Sequence, residues 1–325
     1  MTDAPLLTVE NLKMYFPVTT GLLRRKVGEL KAVDDISFTI NKGRTFGLVG
    51  ESGCGKTTTG KCILRINRPV GGRILYKGLD LATATESAFG PRRRELQLIF
   101  QDPYGSLDPR QSAFSILREA VTTGARNRTA GEVRDRVDEL LETVELGPAM
   151  GRRYPHELSG GQRQRLGIAR ALACEPELIV CDEPVSALDV SIQAQIINLF
   201  KSIQRRLGVT YLFVAHDLAV VRHISDTIGV MYLGRLVEVT DAKSLYGNPL
   251  HPYTQALLSA IPLTDYHAER RRSRIVLRGE VPSPMNAPPG CPFHPRCQHA
   301  TSECRETMPP LRDFGANHAV ACHHV

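Results

Sequence analysis

Residues Gly50-Glu51-Ser52-Gly53-Cys54-Gly55-Lys56-Thr57-Thr58 constrain this chain more than any other stretch. A short apolar run, Phe46 to Val49, precedes them, and Thr58 to Ile66 reads as helix. Strand, glycine-rich turn, Lys-Thr and helix form an arrangement that binds the phosphates of a nucleotide. The glycines let successive backbone N–H groups converge on phosphate oxygens with no Cβ in the way. The following helix adds its unpaired first-turn donors and the positive end of its dipole. Lys56 is expected to reach the outer phosphates, and the Thr57 hydroxyl to hold Mg²⁺. At ordinary residue frequencies the pattern arises by chance in about one chain in a hundred of this length, and its strand–helix context lowers that figure.

A chain of 325 residues can bury one large core or two modest ones. Its 41 Lys and Arg outnumber 34 Asp and Glu, for a net charge of +7. The basic clusters Arg24-Arg25-Lys26, Arg92-Arg93-Arg94 and Arg270-Arg271-Arg272 are scattered and carry no interleaved aromatics. They read as solvated faces and loop tips, and without a stacking platform nucleic acid is not an expected partner. No apolar run approaches the ~20 residues that span a bilayer. The start, Met1-Thr2-Asp3-Ala4-Pro5, lacks the basic and apolar regions of an export signal, so a cytosolic chain is expected. Cys54, Cys62, Cys174 and Cys181 lie in core-like segments as buried thiols, whereas four more cysteines crowd into the last 35 residues.

Leu6 to Leu12 and Ala32 to Ile40 alternate as strands, with Pro17 to Lys31 expected as the loop between them. Further strands are predicted at Arg73 to Tyr76, Leu96 to Phe100, Leu178 to Cys181, Tyr211 to Val214 and Thr227 to Leu233. Val133, Val137, Leu140, Leu141 and Val144 recur on one helical face, so residues 102–158 read as a helical subdomain inserted into an α/β core. Helices are also predicted at Gly160 to Ala173 and around Ile192, Ile196, Leu199 and Ile203. Strands alternating with helices predict a mostly parallel sheet covered on both faces.

Leu178-Ile179-Val180-Cys181-Asp182-Glu183 is an apolar strand ending in two carboxylates. Asp182 suits a Mg²⁺ that neutralises phosphates, and Glu183 a general base that polarises the attacking water. Leu158-Ser159-Gly160-Gly161-Gln162 opens the helix just before Arg163 and reads as a second anion cradle. Two cradles with one phosphate-loop lysine suggest that the second serves a partner's nucleotide.

At these residues the chain closely resembles the ATP-binding subunits of ABC transporters, over about residues 6 to 240. The resemblance implies a P-loop ABC ATPase core that binds ATP and Mg²⁺. Gly50 to Thr57 matches Walker A, Gln101 the Q-loop glutamine that assists Mg²⁺ binding and catalysis, and Ser159 to Gln162 the signature. Asp182 matches the Walker B aspartate, Glu183 the catalytic glutamate, Asp189 the end of the D-loop Ser186-Ala187-Leu188-Asp189, and His216 the switch histidine. An aromatic on adenine is implied as well; spacing from Leu12 favours Phe16, with Tyr15 the alternative.

After Asp241 comes a region containing Asn248 to Leu258, a charged helix-like run and a proline-rich segment. Cys291, Cys297, Cys304 and Cys322 follow a C-x5-C-x6-C-x17-C spacing with few large apolar residues, so burial is not expected to hold the segment together. A reducing cytosol disfavours a disulfide, and tight C-x2-C pairs are missing. The spacing leaves [4Fe–4S], zinc and free thiols open, with histidines 294, 299, 318, 323 and 324 nearby. His251-Pro252-Tyr253-Thr254 and Gly290-Cys291-Pro292-Phe293-His294-Pro295-Arg296-Cys297 resemble the C-terminal region of oligopeptide, dipeptide and nickel importer ATPases. Gln101 to Arg110 and Glu183-Pro184-Val185-Ser186 resemble the "F" member of the two ATPases such importers use.

That resemblance implies a [4Fe–4S] cluster on the four tail cysteines, a nucleotide-binding domain over 1–240 and a C-terminal region over 241–325. It also implies a homologous second ATPase as heterodimer partner, two transmembrane permease subunits and an extracytoplasmic substrate-binding protein. The implied place is the cytoplasmic face of the cell membrane, and the implied activity is ATP hydrolysis coupled to peptide import. Nickel, glutathione or another cargo is the alternative, and a soluble ABC ATPase without a permease is the rival of another class.

Overall fold

The computed structural model describes residues 5–21, 25–124, 128–262, 274–315 and 317–325. The run Arg270-Arg271-Arg272 and the charged stretch before it lie outside the described residues. Two compact units emerge among the described residues: Ile40–Thr45 and Thr83–Val214 make one; Leu6–Thr39, Phe46–Ala82 and Ala215–Val325 make the other.

In the first unit, strands Leu96–Ile99, Leu178–Asp182 and Thr210–Ala215 run parallel, with Leu96 opposite Leu178 and Cys181 opposite Phe213. Every residue of the latter two strands is buried, which is why both read as unbroken apolar runs without alternation. The 102–158 stretch is helical, its two main helices being Ala113–Gly124 and Ala130–Thr143. Thr129 caps the second, accepting from the Glu132 amide while the Glu132 carboxylate accepts from the Thr129 amide. Its face of Val133, Val137, Leu140 and Leu141 is buried, as the periodicity predicts. Helix Val190–Leu207 buries Ile196, Leu199, Phe200 and Ile203, and Phe200 packs edge-on against Tyr211 and Phe213 at 5.4 and 5.8 Å.

The second unit departs from expectation at its start. Leu7–Thr20 and Arg25–Ile40 are both long strands, so most of the stretch expected as a loop is sheet. They form a four-stranded sheet with Gly71–Tyr76 and Leu79–Asp80, in the order 25–40, 7–20, 71–76, 79–80. The pairing with Gly71–Tyr76 is antiparallel, Leu7 facing Tyr76, and buries Leu7, Val9, Leu12, Ile74 and Tyr76. Strand Thr45–Val49 then pairs in parallel with Thr227–Tyr232, which pairs antiparallel with Arg235–Asp241.

The tail extends that sheet. Ala319–Val320 pairs antiparallel with Arg235–Asp241, and Arg312–Asp313 pairs with Ala319–Val320. Glu238, fully buried on the 235–241 strand, accepts from His318 Nε2 at 2.7 Å and from the amides of Leu250 and His251 at 2.8 and 3.0 Å. Phe293 sits against Tyr232 and Tyr253 with ring centroids 5.3 and 5.4 Å apart. Packing, strand pairing and one buried carboxylate therefore hold a segment whose composition suggests that it needs a metal.

The iron–sulfur expectation is corrected on this point. Among the described residues no group of three or more His, Cys, Asp or Glu side chains converges closely enough to hold a metal ion. Cys291, Cys297, Cys304 and Cys322 are free thiols; Cys304 Sγ lies 3.4 Å from the Thr301 hydroxyl and 3.5 Å from His324 Nε2. Burial pushes the Cys291 thiol up to about 11 and raises Cys297 and Cys322 too, with neighbouring tail cysteines adding to each shift.

His251 caps helix Pro252–Ser259, its Nδ1 accepting from the Tyr253 amide at 3.0 Å. Burial drives its pKa down to about 3, so the folded chain holds it neutral. The unfolded chain takes up the proton at about pH 6.5, so stability from this site is intact above that pH and declines as pH falls toward about 3. The expected slope in urea unfolding is up to about 1.4 kcal/mol per pH unit in that window. His251→Asn, which preserves a capping side chain, should flatten it; an unchanged slope in the variant contradicts the assignment.

Candidate functional site: phosphate loop, carboxylate pair and signature

In the second unit the phosphate loop joins strand Thr45–Val49 to helix Lys56–Ile63. Gly55 stands at the helix N-cap with φ 108°, and a Cβ there would lie 2.0 Å from the Ala32 carbonyl oxygen. No side chain fits this position, and the turn depends on glycine for that reason. Ser52 and Gly53 are exposed, Gly50, Cys54 and Gly55 are buried, and Thr57 and Thr58 are half-buried on the first helical turn. Lys56 is only 4 % exposed, and its ammonium donates to the carbonyls of Gly50 (2.8 Å) and Glu51 (3.0 Å). A cationic head folded over a loop of convergent backbone groups fits a polyphosphate.

The same unit carries both aromatic candidates and the histidine. The Tyr15 hydroxyl donates to Asp34 Oδ1 at 2.5 Å, Asp34 is also paired with Arg235 at 2.6 Å, and Lys31 lies over the Tyr15 ring. Tyr15 is thus committed to a polar network, while the neighbouring Phe16 is half-buried on the same strand. His216 is exposed just past strand Thr210–Ala215.

In the first unit Asp182, 8 % exposed, ends the Leu178–Asp182 strand. Glu183 follows with φ 45°, in the left-handed region that costs a non-glycine residue about 1–3 kcal/mol. Its backbone is pinned by the Val214 carbonyl, which accepts its amide at 3.0 Å, and by the Ser186 hydroxyl, which donates to its carbonyl at 3.0 Å. Gln101 Nε2 donates to Glu183 Oε2 at 2.9 Å, bringing together two predicted catalytic residues 82 positions apart. Oxygen donors such as the Asp182 carboxylate are those Mg²⁺ prefers, so the set fits that ion.

Ser159 caps helix Gly160–Leu172 in a reciprocal box with Gln162. A Cβ on Gly161 would come within 2.7 Å of Ile192 Cγ2, so the signature helix packs closely against the start of helix Val190–Leu207. Asp189 is the exposed N-cap of that helix. Gln193, absent from the sequence motifs, donates through Nε2 to the carbonyls of Val185 and Leu188 at 3.0 Å each and so fixes the 186–189 turn. A glutamine one turn after an N-cap is the only local signal for it. Among the described residues no helix is long and apolar enough to cross a membrane.

The ABC transporter family model matches residues 33–186, and the model for the oligopeptide/dipeptide transporter C-terminal region matches residues 237–304. The oligopeptide transport ATP-binding protein AppF of Bacillus subtilis (strain 168) is 53% identical over 98% of this chain and 97% of its own length. The putative oligopeptide transport ATP-binding protein YkfD of the same strain is 51% identical over 99% and 96%. Among solved structures, the dimeric post-hydrolysis state of the ATP-binding cassette MJ0796, bound to ADP and Pi, aligns with a TM-score of 0.64 at 26% identity, covering 73% of this chain and 98% of that one. The chain belongs to the ATP-binding subunits of ABC transporters, in the branch that carries the oligopeptide/dipeptide transporter C-terminal region.

Proposed function

We propose that the chain hydrolyses ATP to energise the import of oligopeptides or dipeptides. The observation that carries this reading is the near-complete alignment, tail included, with oligopeptide transport ATP-binding proteins. The transporter-type tail also disfavours a soluble ABC ATPase that works without a permease.

In this reading Gly50 to Thr58 cradle the phosphates of ATP, Lys56 neutralises the outer ones, and Phe16 stacks on adenine. Thr57, Gln101 and Asp182 would hold Mg²⁺, which draws charge off the phosphate oxygens when bound. Glu183 takes a proton from the attacking water as general base. Gln101, bonded to it, keeps the carboxylate oriented, and His216 contacts the γ-phosphate. Ser159, Gly160, Gly161 and Gln162, with Asp189 beside them, complete the nucleotide site of a second, homologous cassette. Residues 1–240 then act as the nucleotide-binding domain, the 102–158 insertion contacts the permease pair on the cytoplasmic face, and 241–325 form a C-terminal region. An extracytoplasmic binding protein delivers the peptide.

The test is uptake of labelled di- and oligopeptides by cells with and without the gene. Loss of peptide uptake with unchanged nickel and glutathione uptake is the expected result. Intact peptide uptake with loss of one of the other cargoes would transfer the assignment to that cargo.

A further inference from the structure

The C-terminal region reaches into the phosphate loop at one residue. Arg296, in the Cys291 to Cys297 segment, forms a two-pronged salt bridge with Glu51: Nη1 to Oε2 at 2.7 Å and Nη2 to Oε1 at 3.1 Å. The pair is largely shielded, Arg296 being 8 % and Glu51 25 % exposed at the side chain. The Glu51 amide donates to the Tyr253 hydroxyl at 2.9 Å, and the Glu51 carbonyl accepts from Lys56 Nζ at 3.0 Å. One loop residue is therefore held by the tail through its side chain and its amide, and holds the phosphate-loop lysine through its carbonyl.

The grips are rigidly mounted. Tyr253, Tyr232 and Phe293 are almost wholly buried, with ring centroids 4.8 to 5.4 Å apart, and the Arg296 guanidinium lies 6.0 Å from the Tyr232 ring centre. A planar guanidinium matched to a carboxylate at two points fixes orientation as well as distance. The Tyr253 hydroxyl takes an amide that an open loop would leave to solvent.

We propose that Arg296 and Tyr253 are positioning residues for ATP: by clamping Glu51 they set the phosphate loop and Lys56 in the binding-competent shape, so that the tail tunes nucleotide affinity. This rests on the reading of Gly50 to Thr58 as the ATP site. A loop that must be ordered at binding lowers apparent affinity by the fraction of time it is competent. Releasing the clamp should therefore act on binding more than on the chemical step.

The experiment measures ATP binding to the full chain, and KM and kcat for ATP in the assembled transporter. It uses Arg296→Ala, Arg296→Lys, Tyr253→Phe, Glu51→Gln and the double variant Glu51→Gln/Arg296→Ala. Arg296→Ala, Glu51→Gln and Tyr253→Phe should each weaken ATP binding and raise KM about ten-fold, with kcat within about two-fold, the size expected for a charge-assisted pair or a lost amide partner. Arg296→Lys should recover part of the loss, and the double variant should be no weaker than Arg296→Ala alone. Unchanged ATP affinity in Arg296→Ala and in the conservative Tyr253→Phe, with lowered thermal stability only, would overturn the proposal. Additive losses in the double variant would overturn it too. Failure of the parent chain to bind ATP at all would instead overturn the ATP-site reading beneath it.

Discussion

Replacing Glu183 with Gln is expected to lower ATP turnover by roughly 10²–10⁴-fold, the range a general base contributes, while leaving ATP binding within a few-fold of the parent. The geometry isolates the chemistry from the fold. Glu183 is fixed by its backbone, through the Val214 carbonyl and the Ser186 hydroxyl, so its left-handed conformation does not depend on the carboxylate. The bond from Gln101 Nε2 to Glu183 Oε2 can be accepted equally by an amide oxygen, which conserves the local shape. What the amide cannot do is take a proton from water. Single-turnover phosphate release and equilibrium ATP binding separate the two effects. Turnover at the parental rate would remove Glu183 from the role of base.

Lys56→Ala should act on the other half of the process, weakening ATP binding by about 10–100-fold, which corresponds to the ~1.5–3 kcal/mol of a hydrogen bond to a charged group. The lysine is nearly buried and bridges the Gly50 and Glu51 carbonyls. Its removal takes away a positive charge that faces phosphate and also a brace of the loop. Thermal unfolding without nucleotide should shift little by comparison with the binding loss. Binding at parental affinity would mean that the loop amides alone hold the phosphates.

Where chemistry is local, the sequence was legible. The glycine-rich turn, the apolar strand ending in Asp182-Glu183 and the capped Ser159 helix each carry their signal within a few residues. So does the Val133 to Leu141 stripe, whose period needs no tertiary context. The N-terminal sheet was not legible, because residues 25–31 mix four charged side chains with Gly28 and become strand by lying beside Leu7–Thr20, which local propensity cannot register. The tail misled for a related reason. Its four cysteines and sparse apolar content suggest a metal, yet its anchors, Glu238, Tyr232 and Tyr253, lie upstream of the tail cysteines. The Arg296–Glu51 pair joins residues 245 positions apart, so no window of sequence contains it.

We propose that this chain closes with a second cassette around ATP and reopens on hydrolysis, so that nucleotide binding drives the mechanical step. The most direct measurement is the distance between probes on the two cassettes of the assembled transporter, with and without Mg-ATP, for the parent, Glu183→Gln and Lys56→Ala. The parent should cycle, Glu183→Gln should close and stay closed, and Lys56→Ala should stay open at ATP concentrations that close the parent. No ATP-dependent closure in the parent, or the same distances in all three, would contradict it.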